Sequence, residues 1–120
     1  MASRVSFEPC GEHTLCLLDF SGVQSTDVGL AAIAEARRTI AGQPPLSLRV
    51  LIDVSGSRLS RPLFLAMEEL ARANAPYVVR SAIFGLSLPQ RVSLRQLRRL
   101  TGRDIREFTT RNDALAYLRS

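Results

Sequence analysis

The run LRVLIDV, Leu48–Val54, constrains the fold more than any other stretch of this 120-residue chain. It is almost continuously apolar. A strand with one wet face alternates between apolar and polar residues, whereas a strand buried on both faces does not, and burial on both faces is the rule in parallel sheets. VVRSAIFGL, residues 78–86, has the same character. Parallel neighbours need a crossover of a dozen or more residues. The segment between them, RPLFLAMEELARANAP, residues 61–76, supplies it. It has helical periodicity, a proline in the first turn where one is tolerated, and Pro76 at its close.

The same logic orders the rest. RVSFEP alternates, Cys10–His13 is turn-like, and TLCLLDF is apolar, so the chain opens with an antiparallel hairpin. STDVGLAAIAEARRTIAG, residues 25–42, is a helix with a Ser/Thr/Asp start, a Gly stop and an expected apolar face of Leu30, Ile33, Ala34 and Ile40. QPPLS is a loop. SLPQRVSLRQLRRLTG opens with Ser87 and Gln90 at capping-box spacing and closes at Gly102. DIREF is a short strand, and TTRNDALAYLRS is a helix with Thr110 and Asp113 at the same spacing. The order β-β-α-β-α-β-α-β-α predicts an α/β fold: a mixed, mostly parallel sheet of four to five strands with about four helices. No linker divides the chain, and residues 1–120 read as a single domain.

Composition removes several classes. With 46% apolar residues the chain can fill a core without a metal or disulfide staple. Cys10 and Cys16 match no metal or redox spacing and read as free thiols of a reducing, cytoplasmic setting. The amino terminus lacks an apolar leader, and no stretch is long enough to span a membrane. His13 is the sole histidine. There is no Cys-His spacing, nucleophile elbow or phosphate-binding glycine loop, so neither enzyme activity nor a cofactor or metal is expected.

Three groups of residues remain as candidates. Asp19 and Asp53 close the echoing phrases LLDFSG and LIDVSG at the carboxyl ends of two strands, the edge where open α/β sheets bind ligands. An acidic Mg²⁺ pocket is conceivable there, but the better reading is that each Asp caps its own turn. A phospho-receiver domain is excluded: it needs a clustered acid pair and a lysine, and every one of the 16 basic residues here is arginine. Next, Ser55, Ser57, Ser60 and Ser87 lie where strands end or helices begin, with Arg58, Arg61 and Arg91 close by. Such a rim suits a phosphate or carboxylate, although ordinary capping uses the same serines. Finally, the second half of the chain, residues 61–120, carries 11 Arg against 5 acids. Helical spacing puts Arg91, Arg95 and Arg98 on one stripe with Arg99 adjacent, and Arg103 and Arg106 follow. This basic surface would bind nucleic acid weakly and without sequence preference at most, because no aromatic stacking platform accompanies it.

NAPYVVRSAIFGLSLPQRVSLRQLRRLTGRDIREFTTRNDALAYL, Asn74–Leu118, together with VLIDVSG, resembles the SpoIIAA-like group of STAS-fold bacterial proteins (sulphate transporter and anti-sigma-factor antagonist). The shared pieces are N-x-PYV, a strand ending in Gly-Leu, a Q-R helix closing in L-T-G-R, and DALAYL. The resemblance implies a non-enzymatic role in binding a ligand or protein. In true antagonists a phosphorylatable serine follows the central strand in a D-S-S-G motif; here that region reads SGSRLSRP, and Ser57 and Ser60 are the nearest hydroxyls. The expectation is therefore a regulatory module that binds a partner protein through Ser55–Leu65. The alternative is a binder of a small anion or lipid headgroup at the carboxyl edge. The oligomeric state stays open, a homodimer included.

Overall fold

The computed structural model describes residues 3–101 and 105–120, with the side chains of 97–101 outside the described set. Five strands, β1 (Val5–Cys10), β2 (His13–Asp19), β3 (Leu48–Asp53), β4 (Val78–Phe84) and β5 (Ile105–Phe108), form one sheet in the order β1-β2-β3-β4-β5. β1 and β2 are the antiparallel hairpin, and every later pair is parallel. The helices are α1 (Thr26–Ile40), α2 (Arg61–Asn74), α3 (Leu88–Thr101) and α4 (Arg111–Arg119), with a short 3₁₀ turn over Ala75–Tyr77. The predicted architecture is the one observed.

The strand order never reverses. Right-handed crossovers that always advance in one direction put α1, α2 and α3 on one face of the sheet. Only α4 returns over the other. The two faces are therefore filled by alternate residues of the same strands. Cys16, Leu18, Val50, Ile52 and Ile83 join the core under the three crossover helices. Leu15, Leu51, Ala82 and Phe84 meet Ala114 and Leu118 of α4. This is why LRVLIDV lacks alternation: both registers are buried, each such side chain contributing roughly 1.5–3 kcal/mol.

The predicted face of α1 needs a correction. Gly29, Ala32, Ile33, Ala36 and Ile40 are buried, while Leu30 is 39% exposed and Ala34 also faces out. The stripe is turned by about one residue because small side chains bring α1 close to α2. A Cβ on Gly29 would lie 2.4 Å from a methyl carbon of Leu63. Hydrophobicity alone favoured Leu30; close approach of two helices favoured the glycine.

α4 is held at its carboxyl end by two arginines. Arg49 and Arg80 are register partners on β3 and β4. Arg49 donates to the carbonyls of Leu118 and Ser120, and Arg80 to those of Tyr117 and Ser120. These bonds satisfy carbonyls that a helix end leaves orphaned. The guanidinium of Arg80 also lies 5.3 Å from the centre of the Tyr117 ring.

Cys16 is fully buried, and burial pushes its thiol up to about 12; Cys10 is a partly exposed free thiol. The thiolate is the reactive form. A native labelling experiment with a thiol reagent should therefore modify Cys10 alone, and Cys16 should react only after denaturant is added. Two rapid equivalents in the native state would contradict this packing.

Candidate functional site

The two echoing phrases fold into the same object. Asp19 and Asp53 are register partners at the ends of β2 and β3. Oδ1 of Asp53 accepts the N–H of Ser55 at 2.9 Å. Oδ1 of Asp19 accepts the N–H of Ser21 at 3.1 Å and its hydroxyl at 2.5 Å. Each carboxylate thus closes an Asx turn, and the glycine that follows sits in the left-handed region, φ 64° at Gly22 and 67° at Gly56. The Ser21 hydroxyl holds the Asp19 carboxyl below the usual carboxylate range, helped by the Ser21 N–H and the charges of Arg4 and Arg111, against partial burial. Among the described residues, no group of three or more His, Cys, Asp or Glu is placed to hold a metal ion. The two acids are occupied as turn caps.

The loop leaving β3 is tied down from three sides. The Ser57 hydroxyl donates to the Phe20 carbonyl and accepts the Val23 N–H at 3.3 Å. Gln24 Nε2 reaches the Gly56 carbonyl at 2.6 Å, and Gln90 Nε2 reaches the Ser57 carbonyl at 3.0 Å. Thr26 Oγ1 and Ser60 Oγ lie 2.9 Å apart. The backbone adds bonds from Gly22 N–H to the Ser55 carbonyl and from Arg58 N–H to the Val23 carbonyl. The amino ends of α1, α2 and α3 thereby converge on residues 54–60.

The candidate residues separate into two kinds on this rim. Asp53, Ser55 and Ser57 build the loop. Ser87 caps α3 with both capping-box bonds present, Ser87 N–H to Gln90 Oε1 at 2.8 Å and Gln90 N–H to Ser87 Oγ at 3.4 Å. Ser60 occupies the cap position of α2, but its hydroxyl turns to Thr26 and makes no cap bond. Arg58 and Arg61 are exposed and have no side-chain partner among the described residues. Arg91 donates to Thr109 Oγ1 at 3.3 Å.

The expected surface, Ser55–Leu65, ends on one apolar member of the rim, but the spacing missed those that α3 contributes. Leu88 is 76% exposed, Val92 53% and Leu65 50%. They stand in the opening turns of α3 and α2. Their signal was present in the sequence, since Leu88 and Val92 are four residues apart, outside the stripe that carries buried Leu94.

Only part of the basic surface falls within the described residues, and there its arginines are already engaged. Arg95 is drawn onto Glu107, 2.8 Å away. Arg106 lies on the opposite face of the sheet, 5.6 Å from the centre of the Tyr117 ring. The side chains of Arg98 and Arg99, and Arg103 as a whole, lie outside the described residues.

A cavity of about 210 Å³ is present, but away from the carboxyl edge. It lies over the sheet between α2 and α3 and reaches Val78–Ser81 at the start of β4. The expectation of a ligand crevice at the carboxyl edge has a physical weakness: that crevice arises where strand order reverses, and here it does not.

Comparison with solved structures supplies the context for this geometry. An uncharacterized protein of the DUF3478 family with a SpoIIAA-like fold, from Shewanella loihica PV-4, superposes with a TM-score of 0.68 over 95% of this chain and 91% of its own, at 19% identity. An anti-sigma-factor antagonist (STAS) domain protein from Planctomyces limnophilus superposes with a TM-score of 0.66 over 97% and 98%, at 14% identity. The chain has a SpoIIAA-like STAS fold. The resemblance read from Asn74–Leu118 therefore extends, as a fold, over nearly the whole chain. No family model matches it, and no curated protein matches it. Among the described residues, no helix of this STAS-fold chain is long and apolar enough to cross a membrane.

Proposed function

We propose that this STAS-fold chain is a single, non-catalytic regulatory domain of the cytoplasm that docks a partner protein at the rim where α1, α2 and α3 begin. One observation carries the reading. A loop fixed by hydrogen bonds from three elements presents unpaired Arg58 and Arg61 beside exposed Leu65, Leu88 and Val92. Fixing a loop before contact lowers the entropy lost on binding. Arginine with apolar neighbours is the composition that recurs at protein interfaces. The partner surface would be apolar with acidic groups around it.

Ser60 is the hydroxyl best placed to regulate such a contact. A phosphate there would break the bond to Thr26 and would meet Arg58, Arg61 and the uncapped start of α2, adding close to two negative charges. Ser57 is a poor acceptor by comparison, since its oxygen already joins Phe20 and Val23.

The test is recovery of partners from the native host with the wild type and three variants. Leu88→Asp and Arg61→Glu should each remove the captured protein. Arg119→Glu, on an exposed side chain of α4, should retain it. Loss with Arg119→Glu and retention with Leu88→Asp would place the docking surface elsewhere.

A further inference from the structure

We propose that the cavity between α2, α3 and the sheet binds a small uncharged amphipathic molecule, a short apolar chain with one amide- or hydroxyl-type head. Its floor is Leu18, Val50, Ile52 and Ile83, and its helical wall includes Met67 and Ala71. Protein interiors leave few voids larger than a water molecule. This space is partly open to solvent beside Val79 and, at about 210 Å³, is larger than an engineered apolar cavity of ~150 Å³ that takes up benzene.

The polar end points to the chemistry of the head. Asn74 lines the cavity, is only 6% exposed, and its carboxamide has no hydrogen-bond partner among the described residues. Buried polar side chains are nearly always bonded. Ser81, also lining the space, has an equally unpartnered hydroxyl. Together they offer donors and acceptors to a neutral head. Among the described residues no free cation faces it: Arg80 borders the cavity, but its guanidinium is committed to Tyr117 and Ser120 on the far side of the sheet. Glu68, at the wall, is paired with Arg72. A carboxylate head would thus be buried without a counter-ion, which is costly. A water on Asn74 would find few further polar partners among the described wall residues, which are mostly apolar, so a ligand head can displace it at little cost.

The site is independent of the docking rim, so either can fail alone. The experiment titrates the isotope-labelled full chain with hexanamide, hexanoate and acetamide, followed by NMR. Hexanamide should give saturable shifts at the Asn74 side-chain amide and at the Ser81 and Ile83 backbone. Hexanoate and acetamide should bind at least about tenfold more weakly, for want of a counter-ion and of a tail. Asn74→Leu should lower hexanamide affinity about tenfold, the size of one lost hydrogen bond, and leave partner capture unchanged. Ala71→Phe should abolish binding by occupying the space. Absence of saturable shifts, hexanoate binding as tightly as hexanamide, or unaltered affinity in Asn74→Leu would each overturn the proposal.

Discussion

Replacing Gly85 with alanine is expected to destabilise the fold by about 3 kcal/mol or more. Two separate effects add at this position. Gly85 has φ +88°, a conformation that costs a side-chain-bearing residue about 1–3 kcal/mol. A Cβ there would also lie 2.7 Å from the Ser55 nitrogen and 2.8 Å from its Cα. Backbone cannot yield as a side-chain tip can. Ser55 would have to move, and with it the bonds to Asp53 and Gly22 that shape the loop. Gly56→Ala is the control. Gly56 has a similar φ of +67°, but nothing lies within 4 Å of its Cβ position. It should cost only about 1 kcal/mol, the left-handed penalty alone. Thermal melts of both variants separate the terms. Equal losses would mean that contact between the β3 and β4 exits is unimportant.

Leu118→Ala should cost a similar amount, about 3 kcal/mol within the 2–5 expected for a buried leucine. Leu118 is fully buried on the face that α4 alone covers. Truncation leaves Ala114 as the other fully buried contact of that helix, with Leu15 and Leu51 beneath it. At 2–8 °C per kcal/mol, the range for domains around this size, the midpoint should fall by roughly 10 °C. Amide exchange should rise first in α4, while α1 and α2, held on the opposite face, keep their protection. Uniform loss of protection would show that the two layers unfold as one.

The sheet and its connections were legible because they depend on patterns of many residues. Two strands without alternation required burial on both faces, and the helices between them required parallel pairing. The turn role of Asp19 and Asp53 was also legible, since Asp-x-Ser-Gly places an acceptor two residues before an N–H and a glycine where φ turns positive. What escaped were properties of approach and of space. Leu30 looks more buriable than Gly29 until the distance to Leu63 is known. Ser57 looks like an accessible hydroxyl until Phe20 and Val23 arrive from 34 to 37 positions away. Asn74 looked like part of a motif and nothing more; only packing reveals that its amide lacks a partner. Arg95 belonged to a basic stripe until β5 brought Glu107 beside it.

The unreversed strand order has an electrical consequence. Every helix runs against the parallel strands, so the positive ends of all four helix macrodipoles gather at one edge and the negative ends at the other. The two poles are treated differently. The negative ends are met by cations: Arg37 and Arg38 in the last turn of α1, Arg72 in that of α2, and Arg49 and Arg80 on α4. The positive pole is covered unevenly: Asp27 and Asp113 stand in the first turns of α1 and α4, and Asp19 and Asp53 close β2 and β3 at the same edge, whereas α2 and α3 have no acid in their first turns and Arg58 and Arg61 add to the field there. The uncompensated part of the positive pole is thus confined to the neighbouring starts of α2 and α3. An approaching negative surface would be steered to those two helix starts before any contact forms, and salt would slow the encounter rather than weaken the finished complex.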